Sequence, residues 1–127
     1  ENIQLEKHLA RHKYGDLALD TFNVNGHTTS SDALWSGLPL LTMIGKSFTA
    51  RVSASLLNSL GMNELITNTE IEYEDKANEL AHNPIKLANI KEKIKHAKET
   101  SSLFNTELFV LNFEKKLKEL FTSHCNN

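Results

Sequence analysis

Apolar positions change their spacing along the chain, and each change marks an element. From Ile3 to Lys13, Leu5 and Leu9 stand among charged residues, a pattern that predicts a short amphipathic helix closed by Tyr14 and Gly15. Leu17, Ala18 and Leu19 predict a brief buried strand. A loop from Asp20 to Gly26 leads to a helix over Thr28 to Ser36, with Gly37 as its stop and Pro39 beyond it. Pro39, Leu40, Leu41, Thr42 and Met43 form an apolar run between breakers, the pattern of a parallel strand covered on both faces. A second βα unit follows: a turn at Gly45, Lys46 and Ser47, then a helix over Ala50 to Leu60. Its Val52, Leu56, Leu57 and Leu60 are available to the core. Gly61 ends it, and Glu64, Leu65, Ile66 and Thr67 predict a third short strand.

From Thr69 onward the spacing is helical. Thr69 with Glu72 makes a capping box ahead of a stripe of Tyr73, Ala77, Leu80 and Ala81. Asn83 caps the next helix with Pro84 at its first position, and Leu87, Ile90, Ile94 and Ala97 recur at helical spacing. After a break at Thr100, Ser101 and Ser102, a last helix from Thr106 carries Val110, Phe113, Leu117, Leu120 and Phe121 on one side.

Three strands separated by helices imply right-handed crossovers and a parallel sheet, hence an α/β fold. A doubly wound domain normally has five or six strands. The expectation is therefore the C-terminal portion of a Rossmann-like domain: about three short parallel strands with flanking helices and a helical C-terminal segment. Residues 1–127 read as one partial domain, with βα units over 1–68, helices over 69–127 and the remaining strands expected before Glu1.

Composition narrows the partners. A length of 127 residues limits the chain to one modest core. A formal net charge of -2 and a pI near 6.3 argue against nucleic acid or anionic membrane as partners, so any bound anion must be held locally. The lone Cys125 excludes an internal disulfide. No apolar stretch reaches the roughly 18 residues that span a bilayer, and Glu1 to Gln4 does not resemble a signal peptide. A cytoplasmic location is the expectation.

The chemistry concentrates between Leu19 and Trp35. In open α/β sheets, ligands sit beyond the carboxyl ends of the strands, where helix N-termini converge. The turn Gly26, His27, Thr28, Thr29 falls at that edge, where unpaired amides and the positive helix end attract a pyrophosphate. The two threonine hydroxyls and the imidazole add donors. Asp32, one turn further, suits the hydroxyls of a ribose. On pattern alone a structural reading stays open, in which Thr28 and Thr29 only cap the helix and Asp32 only favours its positive end. His8 and His12 share a zinc-like spacing without the glutamate of H-E-x-x-H or an evident third ligand, so no metal is expected. His82, His96 and His124 read as surface residues. Lys86, Lys91, Lys93, Lys95 and Lys98, interrupted by Glu92 and Glu99, read as a solvated face, and Trp35 as core packing.

At these residues the chain resembles the catalytic C-terminal region of the O-linked N-acetylglucosaminyltransferases, enzymes with a tetratricopeptide superhelix and a two-Rossmann (GT-B) core. The resemblance rests on Leu19 to Trp35, Ser36 to Thr42, Gly45 to Val52 with Ser55, Leu60 to Ile66, and Leu103 to Thr106. It implies a donor site for UDP-N-acetylglucosamine, with His27, Thr28 and Thr29 on the pyrophosphate, Asp32 on the ribose, and His8 and Arg11 on the uracil. It further implies inverting, metal-independent transfer to Ser/Thr hydroxyls of a protein acceptor, with no cofactor. The N-terminal catalytic half would be the intramolecular partner, and this chain alone would be inactive. Leu5 stands where some relatives carry a nucleotide-contacting lysine, and Asn23 where bacterial relatives often have proline. The rival readings are a GDP-sugar enzyme of the protein O-fucosyltransferase branch, where the position of His27 tends to be threonine, and a non-catalytic nucleotide-binding scaffold.

Overall fold

Parallel pairing of three short strands sets the frame. The computed structural model describes residues 4–125. The expected first turn of the opening helix at Ile3, and any strand before Glu1, lie outside them. The order is α1 (Leu5–Arg11), a 3₁₀ turn, β1 (Ala18–Leu19), α2 (Thr28–Trp35), β2 (Leu40–Met43), α3 (Val52–Ser59), a second 3₁₀ turn, β3 (Ile66–Thr67), α4 (Glu70–His82), α5 (Pro84–Thr100) and α6 (Thr106–Cys125). The sheet order is β1-β2-β3, with Ala18 opposite Leu40, Leu19 opposite Leu41, Thr42 opposite Ile66 and Met43 opposite Thr67.

β2 is central and buried on both faces: Leu40, Leu41 and Thr42 are all buried. One contiguous core joins Leu34 of α2, Leu40 of β2, Leu57 of α3, Leu80 of α4, and Ile90 and Ile94 of α5 with Leu60, Met62, Leu65 and Ala97. Gly37 and Gly61 stop α2 and α3 with φ of 82° and 71°, a conformation that residues with a Cβ adopt only under strain. At α4 the Thr69 hydroxyl accepts from Glu72 N, while the Glu72 carboxylate reaches back to Asn68 N. Asn83 accepts from Lys86 N with Pro84 in the first turn of α5. These caps follow the residue pattern closely.

Several expectations need correction. Gly15 closes the opening helix in an extended conformation (φ −94°), after a 3₁₀ turn over His12–Tyr14. Leu19 is 59% exposed, because β1 is the edge strand of the described sheet and one of its faces lacks cover. Glu64 and Leu65 lie in a 3₁₀ turn, which leaves only Ile66 and Thr67 as strand. On α3 the small Ser53 and Ala54 take the inner face with Leu57, and Val52 and Leu56 are half-buried, because α3 approaches α2 and β2 closely. Ala81 is exposed, one residue past the buried Leu80. Trp35 is 43% exposed. Its ring meets Phe104 edge-on at 5.1 Å and lies under Lys98 Nζ at 3.7 Å, so it clamps α5 to the turn before α6 rather than entering the core.

Lys91 pairs with Asp16 and Lys93 with Glu64, each at 2.8 Å, and Lys86 pairs with Glu79. Exposed pairs of this kind contribute at most about 1 kcal/mol each, as expected of a solvated face. No side chain of α6 is buried; Val110, Phe113, Leu117, Leu120 and Phe121 all face solvent. That exposed stripe is the one the residue spacing predicts.

Candidate donor-binding site

The site grows from a two-residue strand that ends in a carboxylate. Asp20 follows β1 directly and is 9% exposed, with its N–H on Leu41 O at 3.0 Å. Its Oδ1 accepts from Thr21 N (3.0 Å) and Gly26 N (2.8 Å), so one oxygen closes both ends of the loop. Its Oδ2 accepts from the buried Thr42 Oγ1 at 2.7 Å. Its carbonyl accepts from Tyr73 Oη at 3.0 Å, tying α4 to the carboxyl end of β1. Burial and the Asp20 charge push the Tyr73 phenol above its ordinary value, and the hydrogen bond to the Asp20 carbonyl opposes this only in part.

Asn25, 3% exposed, holds the other flank of the loop. Its amide donates to Thr21 O (2.8 Å), its Oδ1 accepts from Ser53 N (3.3 Å), and its N–H bonds Thr49 O (2.9 Å). Ser53 Oγ donates to Gly26 O and lies 2.9 Å from Ser30 Oγ. Loops 20–26 and 44–51, both at the carboxyl edge of the sheet, are thereby joined.

This scaffold presents the N-terminus of α2. His27 occupies the N-cap position and its side chain makes no capping bond. The leading amides of a helix have no intrahelical partner. His27, Thr28 and Thr29 are all exposed, so hydroxyls, imidazole and unpaired amides share one open mouth. Phe48 stands edge-on to the His27 ring at 6.3 Å. A groove of about 290 Å³ adjoins the mouth, lined by His12, Leu19, Asp20, Thr21, Gly26 and Thr29 among others.

Asp32 and α1 complete the arrangement. His8 Nε2 lies 3.6 Å from Asp32 Oδ2, a polar approach longer than a hydrogen bond. Arg11 Nη2 donates to His8 Nδ1 at 2.8 Å. A guanidinium has no acceptor, so Nδ1 must carry the lone pair and the ring proton sits on Nε2, toward Asp32. His8, Arg11 and Asp32 thus form one polar cluster on half-exposed ground beside the mouth. His12 does something else: its Nδ1 bonds Leu9 O at 3.2 Å and lies 3.5 Å from Ser36 Oγ, stitching α1 to the end of α2. Among the described residues no three His, Cys, Asp or Glu side chains gather as metal ligands. No described helix is long and apolar enough to cross a membrane.

The residue pattern identified the mouth, the family resemblance added His8 and Arg11, and neither assigned a role to Asp20, Asn25 or Ser53. For Asp20 a signal existed: a carboxylate immediately after an apolar strand and six residues before the glycine that leads a helix. For Ser53 there was none, because its partners lie more than 20 residues away in sequence.

A parallel α/β sheet with an amide-rich helix mouth at its carboxyl edge places the chain with the doubly wound α/β class, in which ligands sit beyond the carboxyl ends of the strands. Within that class the chain belongs to glycosyl transferase family 41, whose sequence model matches residues 2–113. It is 36% identical over 121 residues to the probable UDP-N-acetylglucosamine-peptide N-acetylglucosaminyltransferase SEC of Arabidopsis thaliana, covering 94% of this chain and 12% of that protein. It is 37% identical over 116 residues to the UDP-N-acetylglucosamine-peptide N-acetylglucosaminyltransferase of Caenorhabditis elegans, covering 91% of this chain and 10% of that one. A solved structure of a mutant O-GlcNAc transferase from Thermobaculum terrenum superposes with a TM-score of 0.91 at 31% identity, over 98% of this chain and 24% of that one. The expected α/β architecture, with parallel strands and a helical C-terminal segment, agrees with that likeness. The chain spans about a tenth of the length of the curated relatives it matches.

Proposed function

We propose that this chain is the donor-binding wall of a glycosyltransferase that moves N-acetylglucosamine from UDP to serine or threonine hydroxyls of proteins, with inversion and without a metal. The observation that carries the reading is the juxtaposition of the open α2 mouth with the His8, Arg11 and Asp32 cluster: anion donors beside polar groups suited to a ribose and a base. His27, Thr28 and Thr29 hold the pyrophosphate, Asp32 the ribose hydroxyls, and His8 and Arg11 the uracil. As the glycosidic bond breaks, negative charge grows on the departing diphosphate. Amides, hydroxyls and an imidazole already aimed at that position stabilise the charge without reorganising, which lowers the barrier.

The adjoining groove, about 290 Å³, lies at the small end of ligand pockets. It suits one wall of a cleft whose other wall, with the acceptor-side base, comes from the N-terminal catalytic half of a cytoplasmic protein carrying a tetratricopeptide superhelix. Residues 1–127 are then the back half of one Rossmann-like domain, and the chain alone turns over no substrate. Radiolabelled sugar transfer by this chain alone would refute that last point.

Calorimetric titration with UDP, UDP-N-acetylglucosamine and GDP tests the donor assignment. Selective binding of the uridine nucleotides is expected, weakened about tenfold in Asp32→Ala and in His27→Ala by loss of a charged or ionisable hydrogen-bond partner. Preference for GDP would favour the fucosyltransferase-like reading, and indifference to all three the scaffold reading.

A further inference from the structure

We propose that Asp20 is the positioning residue of the diphosphate seat: its buried carboxylate presets the loop so that α2 offers its free amides before any ligand arrives. The inference rests on the diphosphate reading of the α2 mouth made above. A carboxylate close to an anion site is unfavourable unless its charge is engaged elsewhere, and here it is. Oδ1 takes the N–H groups of Thr21 and Gly26, and Oδ2 takes the hydroxyl of Thr42, all neutral donors at 2.7–3.0 Å. Asp20 is buried, whereas His27, Thr28 and Thr29 remain exposed.

Gly26 is the decisive partner. It directly precedes the N-cap of α2, so wherever its N–H is held, the amides of Thr28 and Thr29 follow. Asn25 and Ser53 steady the loop against α3 and loop 44–51. Asp20 connects the same loop to the centre of the sheet through Thr42 and to α4 through Tyr73. Three elements thereby agree on one position for the mouth, and binding then costs less ordering.

The test uses the full chain with UDP and uridine as probes, read by NMR titration, together with amide hydrogen exchange of the free protein. Asp20→Ala strands two loop amides and the Thr42 hydroxyl. It is expected to weaken UDP by about tenfold or more, to leave uridine within about twofold, and to speed exchange at Gly26 and Thr28–Ser30. Asp20→Asn keeps one carbonyl oxygen for the amides, and Thr42 can turn its hydroxyl to accept from the new NH₂. It should restore UDP to within about threefold of the parent. If Asp20→Ala does not fold, Thr42→Val, which removes only the anchor to the sheet, must show the same UDP-selective loss in weaker form. Equal weakening of UDP and uridine, or unchanged exchange in the loop, overturns the proposal. If the parent chain binds no UDP, the ligand reading fails by itself, and the exchange arm still decides whether Asp20 presets the loop.

Discussion

Replacing Gly26 by alanine tests the mouth of α2 at its tightest point. A Cβ built there stands 2.5 Å from Thr29 Oγ1, closer still to Ser30 Oγ, and 3.2 Å from Ser30 N, against 3.4 Å for ordinary contact. Thr29 is exposed, and its hydroxyl can rotate away at little cost. Ser30 is 3% exposed and its hydroxyl is held by Ser53 at 2.9 Å, so turning it sacrifices a buried hydrogen bond worth about 1 kcal/mol. If the hydroxyl stays, the backbone must move by close to 1 Å, which disturbs the Asp20 bond to Gly26 N. Overpacking of this kind costs about 1–3 kcal/mol, and a misplacement of about 1 Å at a catalytic seat can cost about a hundredfold in turnover. The expectation for Gly26→Ala is a melting point lower by roughly 4 °C per kcal/mol lost and UDP affinity reduced about tenfold or more. Calorimetry with UDP and thermal unfolding by circular dichroism read the two effects. Gly15→Ala is the control, since the nearest neighbours of its Cβ are the Leu38 side chain at 3.3 Å and His12 O at 3.5 Å, and no atom of His27, Thr28 or Thr29 is among them. Parental UDP affinity in Gly26→Ala would refute the argument that this glycine sets the amide positions.

Other expectations follow from the packing and the charges. Leu57→Ala empties a fully buried site in the central cluster and should destabilise the chain by about 2–5 kcal/mol in urea unfolding, with little change in the slope. Tyr73 titrates above its ordinary 10.0 in the fold, so at alkaline pH the native state holds its proton longer than the unfolded chain. Its contribution to stability is therefore complete below about pH 10 and falls as pH rises beyond; urea midpoints should decline less steeply there in Tyr73→Phe than in the parent. Glu79 is held at about 2 by hydrogen bonds from Lys76 and Lys86, and an NMR titration should find its carboxyl still ionised at pH 3.5, roughly a unit below its ordinary 4.5. The exposed stripe of α6 should make the chain self-associate with concentration in sedimentation velocity, and the double change Phe113→Ser and Leu117→Ser should abolish that behaviour.

Local patterning carried the elements of this fold a long way. An apolar run between breakers favours a covered strand, a Thr-x-x-Glu step or an Asn-Pro pair favours a helix start, and a glycine after a helical run favours its end; these are properties of a few neighbouring residues. The mouth of α2 was legible for the same reason, since its amides, hydroxyls and imidazole are adjacent in sequence. What depended on tertiary structure involved groups that meet only when the sheet forms. Leu19 is exposed because of its place at the sheet edge, and Trp35 left the core for Lys98 and Phe104, which lie more than 60 residues away. Asp20 acquired its partners from β2 and α4, and His8 met Asp32 only when α1 folded against α2. Side-chain pairing across elements is a long-range property, and no spacing within one segment encodes it.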